Sequence, residues 1–356
     1  MGDGRNRIVL DVADRRPIWA MPPWALAELR EALPSNWRLH LVAASTDGSG
    51  DGGALPADAE AVEAVRGARV YIGFGIPSAV LEAGGDTLDW VHTGAAGVGS
   101  SLHEAMLQSR IRFTNSAGIH GPPMAETVLG MLLYFCRGFD FAATGKVRST
   151  WNDAPFLAAE SPVRELSSMT VGILGYGGIG REVGIRLRAL GSRVIGLRRG
   201  NPAAAPKATS TTDEHGSLVL QGDDGLTRLL SESDALVLAA PETERTKGIL
   251  SRERIRSMPK GSVLVNVARG SLVDEDALVE GLRDGHLRGV ALDVFRTEPL
   301  PSDHPLWALP NVLITPHVSA VSHGFWRRQT DLIVENFRRL LSGEPMVNEV
   351  DRSRGY

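Results

Sequence analysis

The sequence of 356 residues contains a single cysteine, Cys136. One cysteine cannot form an intramolecular disulfide or supply a cysteine-cluster zinc site. Cys136 falls in an apolar stretch with helical spacing, which is typical of a packed core thiol rather than of a nucleophile. The histidines and carboxylates show no metal-ligand spacing either, so we expect no bound metal.

Strong net charge and long apolar runs are also lacking. The formal net charge is −4 and no long block of lysine and arginine is present, which argues against a nucleic-acid partner. The longest strongly apolar stretch, around Val128 to Cys136, is too short to span a bilayer, and the N-terminus lacks the apolar core of a signal peptide. We therefore expect a soluble, cytoplasmic protein with no membrane partner.

The length and the order of apolar segments predict two α/β domains. The chain exceeds the usual size of one hydrophobic core. Strands and helices alternate in the first third, and from Pro123 a long helical stretch can leave one domain and enter another. A final helix from about Val321 to Leu341 is expected to return to the first domain. We place the two domains at residues 1–120 with 321–356 and at residues 121–320.

The second domain shows six strand candidates separated by helical segments. They are TVGILG, RVIGLR, ALVLAA, SVLVNV, GVALDV and NVLITP. Six such strands suit a doubly wound parallel sheet. Two polar stretches, residues 45–60 and Gly200 to Gly225, are expected to be exposed loops.

The first of these strands ends in a glycine-rich turn. Gly175 permits the turn, Gly177 lets the backbone approach a pyrophosphate, and Gly180 allows the following helix to pack closely on the strand. A purely structural turn gives the same spacing, so the pattern alone leaves that alternative open. The candidate cofactor-binding residues here are Gly175, Tyr176, Gly177, Gly178, Ile179 and Gly180.

Three titratable or charged residues follow the later strands, namely Arg269, Glu298 and His317. A doubly wound sheet binds its ligands at the carboxyl ends of its strands. Histidine transfers protons near neutral pH, a carboxylate orients it, and a guanidinium holds a planar carboxylate with two hydrogen bonds. Together they suit the reduction of a 2-oxo acid. Taken singly, each residue can equally be a surface turn, a loop cap or a packed histidine.

In these and other motifs the chain closely resembles the D-isomer-specific 2-hydroxyacid dehydrogenase family. The matching segments are GYGGIG from Gly175, APETERTKG from Ala240, NVARGSLVDEDAL from Asn266, GVALDVFRTEP from Gly289 and TPH from Thr315, with weaker support from GAAGVGS at Gly94. Several unlike motifs in the correct order are more specific than one glycine pattern. The resemblance runs nearly end to end, and it implies a Rossmann cofactor domain inserted in a smaller, flavodoxin-like α/β substrate domain.

The resemblance assigns a role to each residue of the trio. It implies that Arg269 binds the substrate carboxylate and polarises the carbonyl, that His317 is the acid/base, and that Glu298 pairs with His317. It also implies that the backbones of Ala96 and Gly97 hold the substrate carboxylate. The chemistry agrees, because a protonated histidine can give its proton to the carbonyl oxygen as hydride reaches C2.

Further cofactor contacts are implied by the same resemblance. Pro241 and Thr246 would line the cofactor cleft, and the backbone at Val267 and Ala268 would lie beside the nicotinamide ribose. Asp293 would hydrogen-bond the nicotinamide amide, with a strand-end cap as the alternative.

Cofactor choice is suggested by a departure from the family pattern. NAD-using relatives carry an acidic residue after the second strand of the nucleotide unit, whereas this chain has Arg198 and Arg199. An aspartate would bind the ribose hydroxyls and repel a 2′-phosphate, and arginine does the opposite. We expect NADP(H) to be preferred, with NAD(H) as the other usable cofactor; two solvated loop arginines are the alternative.

The expected function is reduction of a small 2-oxo acid such as glyoxylate or hydroxypyruvate. A formate- or phosphite-type dehydrogenase is one alternative, although formate enzymes usually lack the glutamate found at Glu298. A nucleotide-sensing, corepressor-like binding protein is another. The GFGIP segment at Gly73 and the lack of a domain after Val350 argue against phosphoglycerate dehydrogenase.

The remaining expectations concern assembly and aromatic residues. We expect a homodimer. Trp151, His92 and His120 are candidates for substrate contact, with Trp151 reaching across the dimer, and structural packing is the alternative for each.

Overall fold

The computed structural model describes residues 6–43, 57–199, 210–353 and 355. Its strands are β1 (Arg7–Asp11), β2 (Arg38–Leu41), β3 (Val70–Gly73), β4 (Trp90–Thr93), β5 (Arg112–Asn115), β6 (Thr170–Leu174), β7 (Arg193–Leu197), β8 (Ser210–Thr212), β9 (Leu218–Leu220), β10 (Ala235–Leu238), β11 (Ser262–Asn266), β12 (Leu287–Leu292) and β13 (Val312–Ile314).

The helices alternate with these strands along most of the chain. They are α1 (Pro23–Glu31), α2 (Ala59–Val65), α3 (Ser78–Gly84), α4 (Glu104–Gln108), α5 (Gly121–Cys136), α6 (Phe139–Val147), α7 (Ala154–Leu157), α8 (Gly178–Ala189), α9 (Gly222–Glu232), α10 (Arg252–Arg256), α11 (Glu275–Arg283) and α12 (Phe325–Ser342). Within the described ranges, no helix combines the length and apolarity needed to cross a bilayer.

The chain divides into two compact units, Met1–His120 with Val321–Tyr356 and Gly121–Ala320. The first unit holds a five-stranded parallel sheet in the order β2-β1-β3-β4-β5. Side chains alternate between its two faces, since Ile8 and Leu10 of β1 enter one core and Val9 enters the other. On one face α12 contributes Phe325, Ile333 and other apolar residues.

The second unit holds an eight-stranded sheet in the order β13-β12-β11-β10-β6-β7-β9-β8. All its pairings are parallel except that of β8 with β9. Strands buried on both faces read as continuous apolar runs, and β10 shows why, because Ala235 and Val237 enter one core while Leu236 and Leu238 enter the other. The expected α/β class with a doubly wound parallel sheet is confirmed.

Two local expectations were wrong. The stretch from Gly200 to Gly225 is not one exposed loop, because β8 and β9 form an antiparallel hairpin closed by a turn at residues 213–217 and α9 begins at Gly222. The final helix begins at Phe325 rather than Val321. Residues 200–209 and most of 45–60 lie outside the described residues. The roles expected of the two domains stay predictions.

Candidate active site

The glycine turn joins β6 to α8 at the centre of the second sheet. Gly175 adopts a positive φ of 103°, and a Cβ there would lie 2.3 Å from the backbone nitrogen of Ala240. A Cβ at Gly180 would lie 2.2 Å from the carbonyl oxygen of Gly175, whereas a Cβ at Gly177 would meet nothing within 4 Å. The backbone is therefore tightly packed at the first and third glycines and open at the second, as binding of a pyrophosphate requires. Gly178, Ile179 and Gly180 form the first turn of α8.

The neighbouring strand ends provide the other cofactor candidates. After β10, the hydroxyl of Thr246 donates to the carbonyl oxygen of Pro241 at 2.7 Å, which fixes that loop. After β11, Val267 and Ala268 are buried, and the amide of Ala268 donates to Asn266 Oδ1 at 3.0 Å. These residues and the glycine turn lie at the same end of the sheet, because β6, β10 and β11 are neighbouring parallel strands and each of these loops follows the carboxyl end of its strand.

Arg198 and Arg199 follow β7 directly and are both exposed. The backbone amide of Arg198 donates to the carbonyl oxygen of Leu220 at 3.1 Å, so β9 fixes the start of this segment. Their expected contact with a 2′-phosphate stays a prediction.

The trio follows three adjacent strands, β11, β12 and β13. His317 Nδ1 and Glu298 Oε2 are 2.9 Å apart, and both side chains are about one-third exposed (37% and 36%). The second carboxylate oxygen of Glu298 accepts the amide of Phe295 at 2.9 Å, which holds the carboxylate in place. A carboxylate at Nδ1 makes this nitrogen the donor and leaves Nε2 for proton exchange with a substrate.

The loop carrying His317 is held by Asp293. His317 has a left-handed backbone (φ 55°), and its amide donates to the carbonyl oxygen of Asp293 at 2.8 Å. The fully buried Asp293 carboxylate accepts from Thr315 Oγ1 at 2.6 Å and from the amides of Val318 and Ser319, each at 2.9 Å. Asp293 therefore acts as a cap for this loop, and its bond to the nicotinamide amide stays a prediction.

The Arg269 loop lies against the Glu298 loop. A Cβ on Gly270 would lie 1.9 Å from the carbonyl carbon of Phe295, so only glycine permits this approach. Asn266 Nδ2 donates to the carbonyl oxygen of Arg269 at 2.9 Å, and the Arg269 guanidinium donates to the carbonyl oxygen of Ala268 at 2.6 Å. Two members of the predicted trio are thus carried on loops in direct contact.

Sequence reasoning missed Glu275, which binds the backbone of the loop that carries Glu298. Glu275 begins α11 and is 5% exposed, and its Oε1 accepts the amide of Arg296 at 2.7 Å. His304 Nε2 lies 3.6 Å from its other carboxylate oxygen. An acidic residue after the helix cap Asp274 is also typical of a solvated first turn, so the sequence carries no signal of its burial.

The first unit holds the loop with Ala96 and Gly97. Asn115 Nδ2 donates to the carbonyl oxygen of Ala96 at 2.7 Å. The amide of Ser116 donates to the carbonyl oxygen of Ala95 at 3.0 Å. These bonds fix the loop conformation within this unit. The role of its amides in substrate binding stays a prediction.

The three aromatic candidates differ in environment. His92 is fully buried, which lowers its pKa to about 3, and it is packed between β5 and α12. His120 stacks on Phe325 with ring centroids 5.6 Å apart. Trp151 is 96% exposed. The structure therefore favours packing for His92 and His120. Over the portion of the chain with described positions, no three metal-ligating side chains are grouped.

Comparison with known proteins provides independent information. Residues 129–319 match the family model of the NAD-binding domain of D-isomer specific 2-hydroxyacid dehydrogenases. The chain is 34% identical over 236 residues to glyoxylate/hydroxypyruvate reductase A of Klebsiella pneumoniae, covering 66% of this chain and 70% of that protein. It is 33% identical over 260 residues to D-3-phosphoglycerate dehydrogenase of Methanocaldococcus jannaschii, covering 72% of this chain but only 47% of that protein.

A solved structure with the same fold covers almost the whole chain. It is a D-isomer specific 2-hydroxyacid dehydrogenase from Xanthobacter autotrophicus Py2 in complex with NADPH and MES. The TM-score is 0.77 at 29% identity, with 99% of this chain and 100% of that chain covered.

Proposed function

Because the chain belongs to the D-isomer-specific 2-hydroxyacid dehydrogenase family and is a 2-hydroxyacid oxidoreductase, we propose that it reduces a small 2-oxo acid such as glyoxylate or hydroxypyruvate. The observation that carries the proposal is the 2.9 Å contact between His317 Nδ1 and Glu298 Oε2. This contact makes His317 a suitable proton donor, and His317 lies at the same carboxyl end of the parallel sheet as the glycine turn.

His317 acts as the acid in this proposal. Its Nε2 gives a proton to the carbonyl oxygen of the 2-oxo acid, and Glu298 stabilises the charged imidazolium and fixes its orientation. Oxidation of the 2-hydroxy acid uses the same residues, with neutral His317 accepting the hydroxyl proton. Hydrogen bonds to Asp293 fix the backbone of the loop that carries His317 and thereby orient its imidazole for this transfer.

Arg269 binds the substrate carboxylate in the proposal. Its guanidinium offers two parallel donors and stabilises the charge that develops on the adjacent carbonyl oxygen. The backbone amides of Ala96 and Gly97 are separately proposed to bind a substrate carboxylate.

The residues at the sheet centre fit a nicotinamide dinucleotide. Gly177 leaves the backbone open at the N-terminus of the twelve-residue helix α8, where amides favour a pyrophosphate. Pro241, Thr246, Val267 and Ala268 flank this position on the neighbouring strand ends. When bound, a nicotinamide cofactor would supply the hydride for C2 of the substrate.

NADPH is the proposed preferred cofactor. Exposed Arg198 and Arg199 follow β7, where an acidic residue would exclude a 2′-phosphate, and the similar enzyme from Xanthobacter autotrophicus was solved with NADPH. Charge-assisted hydrogen bonds of about 1.5–3 kcal/mol each predict a preference of roughly tenfold or more.

A homodimer is the proposed assembly. Residues 139–157 expose several large apolar side chains, among them Trp151 (96%) and Leu157 (75%), on a segment outside both cores. This exposed apolar segment is the proposed interface between two copies of the chain.

Initial rates with a panel of 2-oxo acids, each with NADPH and NADH, test the function. We expect turnover and a higher kcat/KM with NADPH; binding of either nucleotide without oxidation would indicate a sensor protein and refute the proposal. Arg198→Asp should move the ratio towards NADH. Arg110→Asp, an exposed arginine of the other unit, is the matched control and should leave the ratio unchanged.

A further inference from the structure

A single strand, β7, separates the hairpin β8–β9 from the strand β6 that leads into the glycine turn. Strand β9 pairs with β7 in parallel, and the β7 residue Leu197 accepts through its carbonyl oxygen the amides of Gly175 and Tyr176, at 2.9 and 2.8 Å. The hairpin and the turn therefore share one supporting strand.

Tyr176 connects the two from within the turn. It is 5% exposed, and its hydroxyl donates to Asp213 Oδ2 at 2.7 Å. A Cβ on Gly196 would lie 2.3 Å from Tyr176 Cδ2, and one on Gly184 would lie 2.6 Å from its hydroxyl oxygen. The ring thus fills a slot that both β7 and α8 leave open, and its only charged hydrogen-bond partner among the described residues is in the hairpin.

Asp213 in turn organises the hairpin. Its Oδ1 accepts the amides of His215 and Ser217 at 3.0 and 2.8 Å, so one carboxylate closes the hairpin turn and binds the tyrosine. Burial acts to raise the pKa of Asp213, but the hydrogen bonds from Tyr176 and from these amides outweigh it and hold the pKa below its usual value. Burial raises the pKa of Tyr176 to about 12, so its hydroxyl remains a donor at physiological pH.

The same hairpin fixes the arginine segment. The amide of Arg198 donates to Leu220 at the end of β9, so the backbone of the residue proposed to meet the 2′-phosphate rests on the hairpin as well. The hairpin therefore contacts both the glycine turn, through Tyr176, and the segment that begins at Arg198.

We infer that the β8–β9 hairpin is part of the cofactor-binding apparatus, in which Tyr176 and Asp213 are positioning residues that hold the glycine turn in the conformation that binds a nicotinamide dinucleotide. The inference rests on the proposed function for the identity of the ligand. A turn fixed in advance loses less conformational freedom on binding, so the bond between Tyr176 and Asp213 contributes to affinity without touching the ligand. Neither residue takes part in proton or hydride transfer.

The test compares Tyr176→Phe, Asp213→Ala and the double variant in the full-length protein. Tyr176→Phe removes only the hydroxyl and keeps the ring packing. We expect the Kd of NADPH, measured by fluorescence titration, to rise roughly tenfold in Tyr176→Phe, with kcat at saturating NADPH and KM for the 2-oxo acid within about twofold of the parent. The double variant should bind no more weakly than Asp213→Ala, because both changes remove the same bond.

Glu214→Gln is the matched control, since it lies in the same turn and loses exposed ion pairs with Arg181 and His215 but leaves the bond between Tyr176 and Asp213 intact. Its Kd should match that of the parent. Lower unfolding midpoints with an unchanged Kd in Tyr176→Phe and Asp213→Ala would assign the bond a purely structural role and overturn the inference. A parent protein that binds NADPH but turns over no 2-oxo acid would refute the proposed function alone.

Discussion

Two histidines at the carboxyl ends of parallel strands have opposite environments. His92, in β4, is fully buried and lies among the uncharged side chains of Thr114, Ser116 and Gln329. His317, after β13, is partly exposed and faces the carboxylate of Glu298. The comparison teaches that access to solvent and a charged partner distinguish the proposed proton donor, His317, from a packed histidine, whereas residue type and position in the strand do not.

The largest expected effect is the loss of kcat when His317 is replaced. His317→Ala should lower kcat by roughly 10²–10⁴-fold while the Kd of NADPH stays nearly unchanged, because general acid catalysis is lost and the glycine turn is not altered. His92→Asn should keep kcat per folded molecule near the parent value. Equal losses in the two variants, measured on folded protein at saturating substrate, would contradict the assignment.

The charged partner is tested next by Glu298→Gln. The single amide oxygen can still accept from Nδ1 of His317, but the NH2 group then faces the amide of Phe295, and the side chain no longer compensates the charge of the imidazolium. We expect kcat to fall roughly ten- to a hundredfold, the range for a hydrogen bond to a charged group. Steady-state rates at saturating NADPH measure this, and a kcat equal to that of the parent would show that the carboxylate is dispensable.

The buried histidine, His92, is expected to affect how the free energy of unfolding changes with pH. The pKa of folded His92 is about 3, below the ordinary value of 6.5, so the unfolded state binds more protons between these values. The contribution of His92 to the free energy of unfolding is complete above pH 6.5. It is lost as the pH falls towards 3, by about 1.4 kcal/mol per pH unit. Urea unfolding at pH 7 and pH 5 should show a smaller pH difference for His92→Asn than for the parent. The same difference in both proteins would contradict this account of His92.

The smallest expected effect concerns Glu275, which supports the loop of Glu298. Glu275→Gln can still accept the amide of Arg296 but loses the charge that strengthens the bond. We expect kcat to fall roughly three- to tenfold, with KM for NADPH unchanged. A rise in KM for NADPH with constant kcat would place the effect at the cofactor rather than at the catalytic loop.

The same physical factors decide what could be predicted from the sequence. The strands β6, β7 and β10 to β13 could be predicted because burial on both faces requires apolar runs. Strand β5 was missed because Arg112, Thr114 and Asn115 interrupt its pattern. Strand β8 was missed because its three residues are all exposed and polar, so only pairing with β9 defines it.

The site could be predicted as far as local motifs reach. The glycine turn and the three strand-end residues could be named as candidates, and in the structure His317 Nδ1 lies 2.9 Å from Glu298 Oε2. Long-range partners such as Glu275 with Arg296, and Asp213 with Tyr176, could not be identified, because no local pattern encodes which acidic side chain becomes buried. Burial also separates His92 from His317, and it is set by the whole fold.

The most direct test of the central claim is a crystal structure of the protein with its nicotinamide cofactor and oxamate, an unreactive mimic of a 2-oxo acid. We predict that Nε2 of His317 lies within about 2.6–3.2 Å of the oxamate carbonyl oxygen, while Arg269 binds its carboxylate. Oxamate bound with its carbonyl oxygen out of reach of His317 and in contact with another proton donor would contradict the account.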